Sequence, residues 1–322
     1  MKSNFISKEL KIAVVSGGKS RERPGSLISG KAVYDSLIKQ GYRNSYLADP
    51  LEKNFINNLD RADVVFIVLH GRYGEDGKIQ GYLETVGKPY VGSGVLSSAL
   101  GMDKNYFKIL LGTAGIPTPR FEVLPDKLSV HKFTKIMKRL GIPLFLKPIS
   151  EGGSLGSNVI HTSEQFINNF KEFKRQGFDR FLVEEYITGR SLTVGVLQRK
   201  SKIVVLPILE TISKKEFYDY EAKHDSKLHE YRCPASLNRV TTKRVKDLAR
   251  KVFELIGCYG FNRVDFILDN KTNIPFVLEV NTIPGMSLHS NMVTSANAAG
   301  IDYDQLVIEM LNTAFNRPRY LP

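Results

Sequence analysis

The chain has 322 residues, of which 42% are apolar and 25% charged, with 46 Lys and Arg against 33 Asp and Glu and a formal charge of +13. That length implies roughly two or three domains with cores of their own, and no run of about 18 apolar residues exists to cross a bilayer. The N-terminus, Met1-Lys2-Ser3-Asn4-Phe5, lacks a signal peptide's apolar segment, and Cys233 and Cys258 lack metal-ligand spacing, so the expected setting is a reducing cytoplasm. Basic residues such as Lys132, Lys135, Lys138, Lys174 and Arg175 are scattered and form no stripe with interleaved aromatics, which argues against nucleic acid as a partner.

Residues 11–16 form a short apolar run ending in Gly17-Gly18. Helical spacing over 29–39 stops near Gly41, and residues 63–69 form an apolar run of the kind buried in a parallel sheet. This alternation predicts an α/β domain over 1–102. Ligands of such sheets collect at the C-terminal strand ends, where two polar stretches, 20–26 and 70–77, read as loops.

A second part, 103–188, has a predicted helix over 104–111 broken by Gly115-Ile116-Pro117-Thr118-Pro119, and strands over 144–147 and 181–184. The first strand leads into Gly152-Gly153-Ser154-Leu155-Gly156, whose backbone N–H groups can cradle phosphate. The loop lacks the GK[ST] ending of a Walker motif, and no helix clearly follows it as in a dinucleotide fingerprint. Lys147, at the end of its apolar strand, is either a snorkelling side chain or a phosphate partner. Glu184-Glu185-Tyr186-Ile187 is either a surface turn or a carboxylate followed by an edge that reads adenine.

The third part, 189–322, carries a polar loop over 217–224, a helix near 302–313, and two predicted strands joined by a turn at 269–273. Alternate side chains of a strand share a face, so Arg263 joins Asp265, and Glu279 joins Asn281. Pairing of the two strands would bring all four together, with Val264, Phe266 and Val280 on the opposite face. Two carboxylates and an amide oxygen suit magnesium better than zinc, and an adjacent Arg suits an anion. The plain alternative is a solvated salt-bridge pair. No internal repeat or low-complexity tract is present.

In combination these motifs resemble the D-alanine–D-alanine ligase family of the ATP-grasp superfamily, from Gly17 to about Thr313. The resemblance rests on Gly17-Gly18-x-Ser20-x-Glu22-Arg23, His70-Gly71-Arg72-x-Gly74-Glu75-Asp76-Gly77, Gly92-Ser93-Gly94, Met102-Asp103-Lys104, Lys147-Pro148, Tyr218-Asp219-Tyr220-Glu221-Ala222-Lys223, Arg263-x-Asp265 and Glu279-x-Asn281-Thr282-x-Pro284-Gly285-Met286.

It implies an α/β (α+β ATP-grasp) fold: an N-terminal Rossmann-like parallel-sheet domain (1–102) that binds substrate, then a small lid domain (103–188) and a C-terminal domain (189–322) that sandwich the nucleotide. Lys104 and Lys147 would hold phosphates, Glu184, Tyr186 and Ile187 would line the adenine pocket, and Lys223 would reach the γ-phosphate from a mobile loop. Asp265, Glu279 and Asn281 would bind two magnesium ions, with manganese as the alternative. Glu22, assisted by His70, would hold the amino group of the first D-alanine, and Ser290 the carboxylate of the second. Arg263 and the N–H of Gly285 would stabilise the oxyanion. Gly153, Ser154 and Phe217 belong to the loops expected to cover ATP, and a homodimer is the expected assembly.

The departures are specific. Gly153 stands where the family usually has a serine, and His224 where it has a tyrosine, so the latch between lid and Glu22 must differ. Ser191 replaces a ribose-binding glutamate, Glu185 a lysine near the adenine, and Asn291 an apolar residue. A titratable His224 would disfavour an ammonium-bearing second substrate, which opens D-lactate as an alternative, and the departures together leave D-serine or another amino acid as further alternatives in the second position. A non-catalytic nucleotide-binding regulator is the remaining reading, against which the intact Lys223, Arg263, Asp265, Glu279 and Asn281 argue.

Overall fold

A computed structural model describes residues 6–126, 130–199, 202–214 and 229–318. Phe217, Lys223 and His224 lie outside the described residues.

The apolar runs of the N-terminal part become β1 (Ile12–Val15) and β3 (Val64–Ile67), every residue of both buried. With β2 (Tyr46–Ala48) they form a parallel sheet of order β2-β1-β3, with Ala13 beside both Tyr46 and Val65. Helix α1 (Arg23–Lys39) covers one face, and α2 (Phe55–Arg61), α3 (Lys78–Thr85) and α4 (Val95–Met102) complete the part. The helix expected over 29–39 therefore starts six residues early, so the stretch 20–26 is a loop only as far as Glu22. Pro24 stands in the first turn, where its fixed φ suits a helix start and its missing N–H leaves no bond unmade. The polar residues that read as loop are the helix end turned toward the site.

Helix α5 (Lys104–Thr113) starts where Asp103 accepts the N–H groups of Asn105 and Tyr106. A four-stranded antiparallel sheet follows, in the order β4 (Phe121–Val123), β7 (Phe181–Glu185), β5 (Leu144–Pro148), β6 (Asn158–Ile160). Helices α6 (Val130–Leu140) and α7 (Ser163–Arg175) pack on it through Phe133, Ile136, Leu140 and Phe166, which share a core with Leu144, Leu146 and Phe181.

The last sheet runs β11 (His229–Arg232), β10 (Leu209–Ser213), β8 (Gly189–Arg199), β12 (Phe261–Asp269), β13 (Pro275–Asn281), with β9 (Lys202–Val205) on the end of β8. Leu192, Val194, Val196, Val264, Phe266 and Val280 face α8 (Arg239–Leu255) in one core. Phe107 and Leu111 of α5 enter this same core, so that helix is anchored to the C-terminal sheet rather than to the four-stranded one. Two further helices, α9 (Asn291–Ala298) and α10 (Tyr303–Phe315), send Met292, Leu306, Val307 and Met310 into a core shared with Val14, Val33 and Phe66 of the N-terminal part. No helix among the described residues is long and apolar enough to cross a membrane.

Candidate active site

The two strands read from the sequence pair as an antiparallel ribbon. Arg263 lies opposite Asn281 and Asp265 opposite Glu279, and the turn between β12 and β13 falls where expected. A register shift follows Asp265, so the alignment is true just where the four polar residues stand. On the other side β8 places Gly195 opposite Arg263, Thr193 opposite Asp265 and Ser191 opposite Ile267. One face of three adjacent strands thus gathers Arg263, Asp265, Glu279, Asn281, Thr193 and Ser191.

Asp265 is held from two directions. Arg263 donates from Nε to Oδ1 at 3.0 Å and from Nη2 to Oδ2 at 2.8 Å, and the Thr193 hydroxyl donates to Oδ1 at 2.9 Å. Burial works against the charge on Arg263, but Asp265, Glu279 and Glu75 outweigh it and hold the guanidinium more firmly protonated than usual. Among the described residues no three His, Cys, Asp or Glu side chains group as metal ligands. A cation here would rely on two carboxylates and the Asn281 amide, a hard-oxygen set that fits magnesium or manganese.

Lys104, at the first turn of α5, connects this face to the glycine loop. Its Nζ donates to the Glu151 carbonyl at 2.5 Å and lies 3.6 Å from Glu279 Oε2. The loop itself turns through positive φ at Gly153, Ser154 and Gly156, which splays its backbone into a concave arc. Beneath it sits Glu22, the residue before α1. A Cβ on Gly152 would fall on Glu22 Oε1, and one on Gly71 would come within 3.0 Å of the same oxygen. Glycine at both positions leaves room for a carboxylate between the two loops. Ion pairs tie the loops together at the rim: Arg72 Nε lies 2.8 Å from Glu151 Oε1 and Arg72 Nη2 3.2 Å from Asp179.

His70 is held by hydrogen bonds at both ring nitrogens. Its Nδ1 lies 3.0 Å from the Ile283 carbonyl, which only accepts, so Nδ1 carries the proton. Nε2 then accepts from the Ser29 hydroxyl at 3.0 Å, and Ser29 Oγ in turn accepts the Met286 N–H at 3.1 Å. Burial lowers the His70 pKa to about 4. This is a neutral ring that braces the turn after β13, with Ser29 and Ile283 as the partners of its two nitrogens.

Neighbouring Glu75 accepts the Gly71 N–H at 2.6 Å, and burial, with Glu22 nearby, raises its pKa to about 8. At the far end of that turn Ser290 caps α9, its Oγ buried and without a hydrogen-bond partner. The positive end of a helix dipole favours an anion, and this hydroxyl has a hydrogen to donate. Gly285 is half-buried between Met286 and this serine, where a Cβ would come within 3.5 Å of Ser290 Cβ.

On the four-stranded sheet, Lys147 and Glu184 meet. Lys147 Nζ donates to Glu184 Oε1 at 2.6 Å, and Lys108 Nζ lies 2.9 Å from Oε2. The second contact pairs the other carboxylate oxygen with a second ammonium. Burial alone would raise the Glu184 pKa, but Lys108 and Lys147 more than reverse it and keep the carboxylate ionised. Tyr186 and Ile187 continue from β7 at the edge, with Tyr186 N–H on the Pro143 carbonyl at 3.1 Å. Glu185, found where a lysine was expected, pairs with Arg120 at 2.7 Å. Lys108, Glu75 and Ser29 were missed from sequence. Lys108 left a signal, a charge one turn from Lys104 on the stripe that holds Phe107 and Leu111.

Two family profiles match, D-ala D-ala ligase N-terminus over residues 43–93 and D-ala D-ala ligase C-terminus over 110–312. A D-alanine–D-alanine ligase of Janthinobacterium sp. (strain Marseille) is 41% identical over 306 residues, covering 94% of this chain and 95% of its own. The crystal structure of the Bacillus anthracis D-alanine–D-alanine ligase complexed with ATP superposes with a TM-score of 0.81 at 33% identity, covering 96% of this chain and 98% of that one. The D-Ala:D-Ser ligase VanG of Enterococcus faecalis follows at 0.78 and 28%, covering 95% and 99%. With profiles over both halves and a relative this close along almost its whole length, the chain belongs to the D-alanine–D-alanine ligase family.

Proposed function

We propose that the protein uses ATP to join two D-alanine molecules through an acyl phosphate, supplying D-alanyl-D-alanine for peptidoglycan. The observation that carries this reading is the pair of loops closed over Glu22, facing a strand face where Arg263, Asp265, Glu279 and Asn281 converge within reach of Lys104.

Charge sets the mechanism. A carboxylate resists attack by an amine because its oxygen is a poor leaving group. Transfer of the γ-phosphoryl group to that oxygen, with loss of ADP, makes it a good one. Glu22 holds the ammonium of the first D-alanine by a charge-assisted bond, which orients its carboxylate toward the phosphates. Lys104 and Lys147 offset the repulsion between two anions. Divalent cations held by Asp265, Glu279 and Asn281 would supply further positive charge between the phosphates. The second D-alanine, its ammonium having given up a proton to water, then attacks the acyl carbon as the free amine, its carboxylate seated on Ser290 and the N-terminus of α9. The carbonyl oxygen takes up negative charge as the new C–N bond forms, and Arg263 with the Gly285 N–H receives it; phosphate departs as the carbonyl re-forms. His70 acts through Ser29, whose hydroxyl fixes the Met286 peptide next to Gly285.

Glu184, Tyr186 and Ile187 form the adenine edge at the end of β7. Ser191 shares the active face and offers a hydroxyl to the ribose. We place the reaction in the cytoplasm and assign a homodimer, to be checked by light scattering. The decisive assay is ADP release with mass analysis of products, using D-alanine alone and with D-serine, D-lactate or L-alanine. The last three belong in the panel because Gly153 and His224 replace the two expected latch residues. D-alanyl-D-alanine as the main product is expected; no ADP release with D-alanine would refute the proposal.

A further inference from the structure

Three charged side chains lie in a row beneath the adenine edge: Lys108, Glu184 and Lys147. All are buried, with side-chain exposures of 0%, 4% and 7%. The two lysines take opposite oxygens of one carboxylate. They differ in how they are held. Lys108 sits in the middle of α5 and also donates to the Thr118 hydroxyl at 2.6 Å, which donates onward to the Val277 carbonyl at 2.8 Å. Its ammonium lies over the Phe121 ring at 5.1 Å, and its helix is locked into the C-terminal core by Phe107 and Leu111. Lys108 is therefore fixed in place beside Glu184. Lys147 stands at the end of β5, where the chain leaves for the glycine loop, and Glu184 is its hydrogen-bond partner.

Two cations on one anion leave a net charge of +1. A single lysine would have satisfied Glu184, so the second requires an account. If Lys147 alone neutralised Glu184, turning to a phosphate would strand a fully buried carboxylate, which is strongly unfavourable. With Lys108 in place, Lys147 can turn away and leave a neutral ion pair behind.

Resting on the nucleotide reading above, we propose that Lys108 is the permanent counter-ion of Glu184, and that it frees Lys147 to exchange that carboxylate for a nucleotide phosphate. Lys108 is a positioning residue in this scheme. It sets the part of nucleotide affinity that comes from phosphate, and not the part that comes from adenine.

Calorimetric titration of the full-length protein with magnesium–ADP and with adenosine separates the two parts. Lys108→Met is expected to weaken ADP by roughly 30-fold or more, the scale of a stranded buried partner, while adenosine affinity changes by less than about twofold. Neutralising the carboxylate removes the need for a counter-ion, and glutamine keeps an acceptor for adenine. In the Glu184→Gln background, Lys108→Met should therefore change ADP affinity by less than about twofold. Unchanged ADP binding in the single variant overturns the inference, and so does an equal loss in both backgrounds, which would mark a merely structural lysine. Should the single variant fail to fold, Lys108→Gln supplies the single-variant arm of the same comparison, with the same expected and overturning results. Wild-type protein that binds no ADP, or a Lys147→Met variant that binds it normally, would instead refute the nucleotide assignment itself.

Discussion

Arg263 grips Asp265 with two nitrogens of one planar fork, and it does so on the face where negative charge is to develop. A lysine keeps the charge but offers a single point of contact. Arg263→Lys is therefore expected to lower kcat by roughly 10²–10³-fold, the loss of one oxyanion donor, with little change in ATP affinity. On the proposed mechanism Ser290 stands at the other end of the reacting pair. Its removal in Ser290→Ala should raise KM for the second amino acid about tenfold while kcat holds. Steady-state rates with each substrate varied in turn check both. Two buried groups give a pH signature. His70 has a folded pKa near 4, below the 6.5 of a free imidazole, so its stabilising share is present above 6.5 and is lost as pH falls toward 4. Glu75 runs the other way: its folded pKa near 8 lies above 4.5, so stability is lost as pH rises from 4.5 toward 8. Glu75→Gln should raise the melting temperature at pH 8 and leave it nearly unchanged at pH 4, by thermal denaturation; an equal change at both would sink the assignment. At this scale the sequence was legible where a strand's period of two assigns faces, as at Arg263, Asp265, Glu279 and Asn281. It was not legible for His70, whose partners Ser29 and Ile283 come from distant segments.

At the scale of elements, the loops are defined by what glycine permits, and two positions with the same apparent need separate on substitution. A Cβ on Gly152 meets the tip of Glu22, a side chain that can swing aside. A Cβ on Gly74 meets the Leu69 carbonyl oxygen and Cβ, which cannot move without the strand end. Gly152→Ala is therefore expected to keep the wild-type melting temperature while raising KM for the first D-alanine. Gly74→Ala should destabilise the fold by about 1–3 kcal/mol, the usual range for overpacking. Melting curves with D-alanine kinetics test the pair, and a cold-stable Gly74→Ala with normal Tm would refute the packing argument. Long apolar runs such as β3 were readable because full burial leaves no polar interruption. The start of α1 was hidden because the residues that open it serve the site and so look like loop. The strands from β8 to β11 carried no distinctive chemistry in the sequence, although β8 supplies the centre of the largest sheet.

Across the whole molecule, burial regroups the three parts. The face of β12 that shows Arg263 and Asp265 to the site also sends Phe261 into the core shared by Val14, Phe66, Met292 and Met310. Catalytic face and N-terminal domain are thereby one packed body, and Glu22 is held at a fixed distance from the strands that face it. Asp304 of α10 reinforces the joint, accepting from Ser36 at 2.7 Å and from Lys39 at 2.6 Å. The four-stranded sheet instead has a core of its own, in which Phe133 and Phe166 stack with centroids 3.7 Å apart. Such sharing is invisible in sequence because it joins residues more than 200 positions apart. It has a measurable consequence. Phe66→Ala and Phe166→Ala each remove a fully buried ring, a loss of about 3–5 kcal/mol. Under hydrogen exchange, Phe166→Ala should speed exchange only between β4 and β7. Phe66→Ala should do so in β1 and β3 and equally in α9 and α10, because those elements open together. Faster exchange confined to the first 102 residues would mean that the N-terminal sheet opens alone, and the site would then have two independent walls instead of one.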